Sequence, residues 1–317
     1  MYNRVPERLM KKVKKNNKIK IILPLLGVIL IILAIILEYI IKTHDKKILS
    51  SGWVVKHEEI KLSETANITI SPTMMPSPTT VLSPTPTLIT VENMNQNYGP
   101  CAKVNVLMYH HIQEEETAKK NGQTGLTVTP DFFRKHLQYL KDNGYSVITM
   151  AELKSFFNGG VALPKKPAMI TIDDGYKDNY EFAYPILKEF GIKATIFTAT
   201  GLLNNPGYMT WDDLNHMKDL VYFANHTWSH QGSNGTKEKL TEEITMADKQ
   251  LTEHGLNLDK IFAYPYGGAG KKVEEILKSN GYEIAFTTVH GNILCREKSL
   301  ELPRIRVGNA SLKSYGL

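Results

Sequence analysis

The region 100–317 predicts an α/β fold in which parallel strands close, or nearly close, into a barrel of about seven strand–helix units. Short apolar runs there alternate with amphipathic stretches of helical period, and polar turn residues separate the two kinds of segment. No G-x-G-x-x-G sequence follows any of the apolar runs, which argues against an open dinucleotide-binding sheet. The region is also long enough to bury one large core.

Capping residues indicate where the predicted helices begin and end. Thr129 and Pro130 suit the N-cap and first position of a helix that stops at Asn143-Gly144. The sequence from Thr210 to Asp213 resembles a capping box. The predicted strands are 104–108, 146–149, 168–172, 194–197, 221–223, 261–263 and 284–287. The predicted helices are 130–142, 151–157, 181–190, 211–218, 240–254 and 271–280.

The N-terminal 41 residues predict a membrane anchor. A tail over 1–20 carries eight basic groups and one acid, and the segment 21–41 is almost wholly apolar. As a helix this segment would span roughly 31 Å, about the thickness of a bilayer core. A cleaved signal peptide is the alternative, but its apolar core is usually shorter and ends at a small-residue cleavage site, which is missing between Glu38 and Lys42. The basic tail predicts a cytoplasmic N-terminus, hence a single-pass protein of the cell membrane whose large domain is extracellular.

The stretch 42–99 predicts a mostly unstructured stalk. From Ser71 to Thr87, five of seventeen residues are proline and eight are serine or threonine, a composition that favours extended polyproline II conformers. Such a segment could hold a domain roughly 50 Å from the membrane. The catalytic domain would then occupy 100–317.

Charge and cysteine content exclude several classes of protein. The net charge of +6 comes from the tail, so the predicted domain lacks the basic face that nucleic-acid binding requires. Two cysteines, Cys101 and Cys295, are too few for a disulfide-dense scaffold or a thiolate cluster. A bridge between them and two free thiols both remain open. We expect a monomer.

Polar side chains follow four of the predicted strands. They are His110-His111, Asp173-Asp174, His226 with His230, and the turn around Tyr266. Because parallel strands of an α/β fold end at one rim, these groups should form one site there.

The histidine pair and the aspartate pair together predict a metal site. His226 and His230 have the i, i+4 spacing that one turn can close onto an ion, and Thr227 excludes the H-E-x-x-H pattern of zinc peptidases. Each pair is a weak signal alone. Two imidazoles and one carboxylate make three ligands and leave a coordination position for water, and the second carboxylate would stand close enough to take its proton.

These motifs resemble those of the polysaccharide deacetylases, the NodB-homology group of carbohydrate esterases. The sequence Ile170–Tyr176 is similar to the family's T-F-D-D-G motif, and His226–His230 is similar to its H-[S/T]-x-x-H motif. Ala263–Gly267 resembles the R-x-P-Y motif, and Leu302–Val307 resembles a late segment of one branch. The resemblance covers about 104–307 and implies the distorted parallel (β/α) barrel of NodB-homology type.

The resemblance also implies roles for individual residues. The first aspartate of the family motif is the general base, which here is Asp173. The second is a metal ligand, which makes Asp174, His226 and His230 the metal set, with zinc usual and cobalt or nickel alternatives. Tyr266 matches the tyrosine whose backbone N–H helps to hold the oxyanion.

Two departures from the family pattern concern the arginine and the acid. Ala263 stands where the family has an arginine that orients the catalytic aspartate, and no Leu-x-His pair supplies the usual acid near the C-terminus. Both features resemble the branch that acts on poly-N-acetylglucosamine, where the acid is the histidine of a Y-H-x-[I/V] sequence. This assigns the acid to His110, with His111 and His290 as alternatives. Arg304 could replace the missing arginine or could form a surface ion pair.

The sequence therefore predicts a membrane-anchored, metal-dependent de-N-acetylase of an extracellular N-acetylglucosamine polysaccharide. Poly-N-acetylglucosamine is favoured over peptidoglycan. The alternative is an inactive glycan-binding module of the same fold, and a two-carboxylate glycosidase is a third hypothesis that leaves the histidines unexplained. Tyr176, Trp211 and Trp228 could stack on sugar rings or pack in the core.

Overall fold

The structure is a computed structural model that describes residues 90–317. The predicted basic tail 1–20, the predicted membrane helix 21–41 and the predicted stalk up to residue 89 lie outside the described residues. Within 90–317, each helix is too short or too polar to span a bilayer.

The described part contains twelve strands and eight α-helices. The strands are β1 Cys101–Lys103, β2 Asn105–Tyr109, β3 His111–Ile112, β4 Thr127–Val128, β5 Ser146–Val147, β6 Pro167–Asp174, β7 Ala194–Thr198, β8 Val221–Asn225, β9 Ile261–Ala263, β10 Ile284–His290, β11 Ile293–Cys295 and β12 Leu302–Arg306. The helices are α1 Val91–Tyr98, α2 Glu115–Lys120, α3 Pro130–Asp142, α4 Met150–Phe157, α5 Tyr184–Phe190, α6 Trp211–Met217, α7 Lys237–Glu253 and α8 Lys271–Ser279.

Seven parallel strands close into a barrel. Their order is β2-β12-β10-β9-β8-β7-β6, and pairing of β6 with β2 completes the ring. The predicted parallel barrel is thus confirmed, but one of the seven predicted strands is not a barrel strand and another strand takes its place. The strand predicted at 146–149 is the short β5, which pairs only with the start of β6, and the seventh barrel strand is β12.

Alternate residues of the barrel strands pack in different hydrophobic clusters. In β6, Ile170 and Ile172 lie in the cluster that also holds helix residues such as Leu137 of α3, whereas Met169 lies in a second cluster with Phe197. Since side chains alternate along a strand, the first cluster lies between barrel and helices and the second fills the barrel. Asp173 has the parity of Met169, so its side chain belongs to the barrel interior.

The helix starts follow the predicted caps. Thr129 caps α3 with Pro130 in its first turn, and a capping box links Thr210 to Asp213 at the start of α6. The helix predicted at 181–190 begins differently in the structure. Its first residues belong to a π-helical turn over Asn179–Ala183, and the α-helix itself, α5, begins at Tyr184.

Two features extend the folded part beyond the barrel. Helix α1 occupies Val91–Tyr98, inside the stretch 42–99 that was expected to be a mostly unstructured stalk, and the Asn95 side chain accepts a hydrogen bond from the Cys101 N–H at 2.5 Å. Strands β1 and β11 then pair antiparallel with Cys101 opposite Cys295, and the two cysteines form a disulfide. Of the two readings of the cysteines, the structure therefore shows the bridge.

Candidate active site at the carboxyl rim of the barrel

The residues singled out in the sequence come together where the barrel strands end. Asp173 and Asp174 are the last two residues of β6, and His226 directly follows β8. His110 follows β2, and Tyr266 lies in the short turn after β9. The closure of the barrel, not proximity along the chain, brings these five residues to one rim.

Asp174, His226 and His230 form a three-ligand cluster. The Nε2 atoms of His226 and His230 lie 3.2 and 3.1 Å from Oδ1 of Asp174, and one ligand atom from each residue falls within 4.8 Å of the others. The Nδ1 atom of His226 lies 2.8 Å from the carbonyl oxygen of Ala263. Because a carbonyl only accepts, Nδ1 carries a proton, and Nε2 is the ring nitrogen that faces Asp174.

This cluster attracts positive charge. Oδ1 of Asp174 is buried, and among residues 90–317 no donor reaches it with hydrogen-bond geometry. Burial raises the pKa of Asp174, but the two imidazoles outweigh burial and hold that pKa far below its usual range. Burial lowers the pKa of His226, yet the carboxylates of Asp174 and Asp173 raise it above the ordinary value. Two imidazole nitrogens and a carboxylate oxygen are a donor set that suits a zinc ion, and the three residues fit such an ion.

Asp173 forms a buried, bidentate ion pair with Arg304. The Nη1–Oδ1 and Nη2–Oδ2 distances are 2.7 and 2.6 Å, and Nε of Arg304 donates to the carbonyl oxygen of Thr287 at 2.9 Å. Arg304 is fully buried, so the surface ion pair considered for it is wrong. It approaches Asp173 from β12, whereas the resemblance would place an arginine at Ala263 on β9. Burial raises the pKa of Asp173, but the guanidinium outweighs burial and lowers it below its usual value.

Several site residues adopt backbone conformations that L-amino acids rarely populate. The φ angles of Asp174, Thr227, His230 and Tyr266 are 77°, 66°, 62° and 61°, and Gly175 has a φ of 83°. Left-handed non-glycine residues cost free energy and cluster at functional sites, where the surrounding structure enforces them. The surrounding fold therefore holds these residues in unfavourable backbone conformations, and these conformations set the directions of their side chains.

Hydrogen bonds hold the turn between the two histidine ligands. The Thr227 N–H donates to Oδ1 of Asn225 at 2.8 Å, and the Gln231 N–H donates to the Thr227 hydroxyl at 2.9 Å. Glu243, which is fully buried on α7, accepts from both the N–H and the hydroxyl of Ser229 at 2.7 Å. Sequence reasoning missed Glu243, although an acid on the buried face of an amphipathic helix was a readable sign of a partner.

Of the three histidines considered as the acid, His110 shares the electrostatic environment of the aspartates. Burial lowers the pKa of His110, and the charges of Asp173 and Asp174 act in the opposite direction. His111 is buried, and His290 is exposed at the end of β10. The assignment of the acid to His110 stays a prediction.

Two cavities at the rim offer room for a ligand. One, of about 880 Å³, is lined by His230 and by the 78% exposed Tyr266, whose ring meets the His230 ring edge-on at 4.7 Å. The other, of about 600 Å³, is lined by His111, Tyr176 and Tyr208. Of the other two aromatic residues considered for sugar stacking, Trp228 is 37% exposed, and Trp211 stacks instead on His254 at 4.0 Å.

The barrel gathers two carboxylates, several imidazoles and a buried arginine at the carboxyl ends of its strands. Active sites of parallel α/β barrel enzymes lie at this end of the barrel, so the arrangement is typical of such an enzyme. The family model described as polysaccharide deacetylase matches residues 160–285. The chain is 30% identical over 208 residues to a Bacillus subtilis protein named putative polysaccharide deacetylase YxkH, covering 65% of this chain and 72% of that protein. The chain belongs to the polysaccharide deacetylase family, a family of hydrolases, as its motifs predicted.

Two further relatives bear on function. The Streptococcus pyogenes deacetylase PplD, solved in complex with acetate, superposes with a TM-score of 0.62 at 30% identity and covers 68% of this chain and 98% of its own. An Escherichia coli protein named poly-beta-1,6-N-acetyl-D-glucosamine N-deacetylase is 26% identical over 258 residues, which is 66% of this chain. The chain spans only 37% of the length of that relative.

Proposed function

We propose that this protein is a metal-dependent de-N-acetylase of an N-acetylglucosamine polysaccharide, with poly-N-acetylglucosamine ahead of peptidoglycan as substrate. One observation carries the proposal. In a chain of the deacetylase family, the orphaned carboxylate oxygen of Asp174 converges with the two imidazole nitrogens, directly beside the Asp173–Arg304 pair.

The proposed hydrolysis needs a bound cation and a general base. A divalent cation lowers the pKa of water and polarises a carbonyl, and Asp174, His226 and His230 would hold it. Zinc is the first expectation, followed by cobalt or nickel. Asp173 accepts the proton of the water that attacks the acetamide carbonyl. Arg304 keeps Asp173 ionised and fixes its orientation through two parallel hydrogen bonds.

Two further groups stabilise charge as the amide bond breaks. The backbone N–H of Tyr266 donates to the oxyanion that forms from the carbonyl. His110 gives its proton to the departing amine. Because burial lowers its pKa, the imidazolium of His110 is a stronger acid than histidine in water, which favours this transfer.

The substrate and the location rest on different observations. The Escherichia coli relative is named for poly-beta-1,6-N-acetyl-D-glucosamine, and the placement of the acid at His110 follows the same branch. The basic tail and the apolar stretch 21–41 support an anchor in the cell membrane that leaves the barrel on the extracellular side.

The test is acetate release by the full-length protein in detergent micelles. We expect acetate from β-1,6-linked N-acetylglucosamine oligomers in the presence of Zn²⁺ or Co²⁺, and less from peptidoglycan fragments. The variant Asp173→Asn should lose the activity, and Asp212→Asn, an exposed aspartate on α6, is the matched control. Absence of acetate from the wild type, or equal release by Asp173→Asn, would contradict the proposal.

The alternative of an inactive glycan-binding module has lost its main support. That support was the alanine at position 263, and the structure supplies an arginine to Asp173 from β12 instead. A module of this kind would bind the oligomers without releasing acetate.

A further inference from the structure

The buried His111 and the partly buried Asp178 form a pair that the proposed mechanism does not use. The Nδ1 atom of His111 lies 2.6 Å from Oδ2 of Asp178, and His111 is 3% exposed. Because an ionised carboxylate only accepts, Nδ1 carries the proton. Nε2 of His111 has no hydrogen-bond partner within the described part of the chain.

Asp178, together with its neighbour Asn179, fixes the backbone on the C-terminal side of His110. Oδ1 of Asp178 accepts from the Ile112 N–H at 2.9 Å and from Nδ2 of Asn179 at 2.9 Å. The same Nδ2 donates to the carbonyl oxygen of His110 at 2.9 Å. These contacts join the segment after β2 to the segment after β6, the strand that ends in the aspartate pair.

The local structure leaves His110 little freedom of its own. It is the single residue between β2, which ends at Tyr109, and β3, which begins at His111. The hydroxyl of Tyr109, which precedes His110, lies 3.1 Å from Nδ1 of His136, so the residue on the N-terminal side of His110 also has a fixed side chain. Asp178 and Asn179 lie where the π-helical turn begins. Such turns are rare in proteins, and those that occur are frequently found at functional sites.

His111 also supports an aromatic wall of the smaller cavity. Its ring stacks on the Tyr176 ring with centroids 3.7 Å apart and planes 16° apart, and Tyr176 lies 5.2 Å from Tyr208. His111 thus has two separable contacts, a hydrogen bond to Asp178 and a ring stacked on Tyr176.

We propose that the hydrogen-bonded pair His111–Asp178 is a positioning unit for the acid His110, and that the hydrogen bond rather than the ring stack does the positioning. The inference rests on the proposed role of His110. A shift of about 1 Å in a reacting group costs on the order of a hundredfold in rate. Loss of the hydrogen bond should therefore lower kcat by a larger factor than it raises KM, since the proposed unit acts on the position of His110 rather than by binding the substrate.

Two substitutions of one residue separate the two contacts. His111→Phe keeps a ring for Tyr176 and removes the donor, whereas His111→Asn removes the ring and places an amide N–H near the position of Nδ1. We expect His111→Phe to lower kcat roughly tenfold to a hundredfold, and His111→Asn to recover most of that loss. His254→Phe is the matched control, because His254 also stacks on an aromatic ring, Trp211, and neither of these residues lines the two rim cavities.

A second measurement does not depend on activity. In histidine-selective NMR spectra of the zinc-loaded protein, the His110 imidazole signals, assigned with His110→Gln, should shift or broaden in His111→Phe and stay near wild type in His111→Asn. The opposite ranking of the two variants in kcat and spectrum would overturn the proposal, as would equal losses in both with a lowered Tm. If the wild type releases no acetate, the proposed function fails, and the spectra still decide whether the pair positions His110.

Discussion

Replacing Arg304 with methionine tests whether this buried guanidinium keeps Asp173 ionised and in place. Methionine is close in length, so the change removes charge and donors rather than volume. Removal of one partner from a buried ion pair typically costs about 3–5 kcal/mol, because the other charge stays buried without compensation. A shift of 1 kcal/mol corresponds to about 2–4 °C in Tm for a domain of this size, so we expect Tm to fall by about 10 °C.

The stability lost in Arg304→Met should depend on pH. In the wild type the pKa of Asp173 is below its usual value, so the pair stabilises the fold above the unfolded pKa of about 3.9 and loses this effect as the pH falls through the folded pKa. Without Arg304, burial alone acts and raises the pKa of Asp173. The protonated carboxyl is then tolerated at low pH and the ionised form is penalised at neutral pH. The stability difference between wild type and variant should therefore be smallest near pH 4 and should grow toward pH 7.5.

The measurement is thermal unfolding at both pH values, with chelator present to remove metal linkage. Arg134 provides the matched control because it also donates to both oxygens of one carboxylate, from Nε to Oε1 of Glu189 at 3.3 Å and from Nη2 to Oε2 at 3.0 Å, but both side chains are about half exposed. Exposed pairs contribute about 0–1 kcal/mol, so Arg134→Met should change Tm by only a few degrees. An Arg304→Met variant as stable as Arg134→Met, with a difference independent of pH, would refute the reasoning. In an activity assay, Arg304→Met should also move the acid limb of kcat/KM to higher pH.

Three further predictions concern the bridge, the histidine turn and the metal. The double variant Cys101→Ser/Cys295→Ser should lose stability, by up to about 5 kcal/mol if the closed loop of 194 residues acts through chain entropy, and unfolding with and without reductant measures the loss. Glu243→Gln should weaken zinc affinity about tenfold to a hundredfold in competition with a chromogenic chelator, because the turn between the two histidine ligands loosens, whereas exposed Glu242→Gln should not. Dialysis against EDTA should abolish acetate release and added Zn²⁺ should restore it; activity that persists in metal-free protein would contradict the metal assignment.

The barrel was readable from the sequence because most of its strands are continuous apolar runs. Strands that are buried on both faces show this pattern, and β6 is an example, with seven of its eight residues buried. Strand β12 was not identified, since proline and two arginines interrupt its apolar residues. Arg304 is tolerated at the centre of β12 only because Asp173, 131 residues away, neutralises it. No local pattern contains that information.

The candidate site shows the same division between local and distant signals. The aspartate pair and the two histidines were predicted because each pair is local in the sequence and because the two pairs occur together at the ends of predicted strands. Glu243 and Asp178 were not, because each acts through a residue that is distant in the chain: Glu243 on Ser229 and Asp178 on His111. The partners of such residues can be identified only when the fold shows which segments meet.

The charges at the rim support the proposed cation. Within the described residues, Asp173 and Asp174 bring two buried negative charges and Arg304 brings one positive charge that is committed to Asp173. Imidazoles that hold a metal ion do so in their neutral form, and in that form His226 and His230 would leave the carboxylate of Asp174 uncompensated, which is costly for a buried carboxylate. A divalent ion on Asp174, as proposed, would change the balance of the site from −1 to +1. The attack of water on an acetamide places negative charge on the carbonyl oxygen, so the loaded site becomes complementary to the transition state. The ion would therefore contribute to folding stability and to catalysis through the same charge.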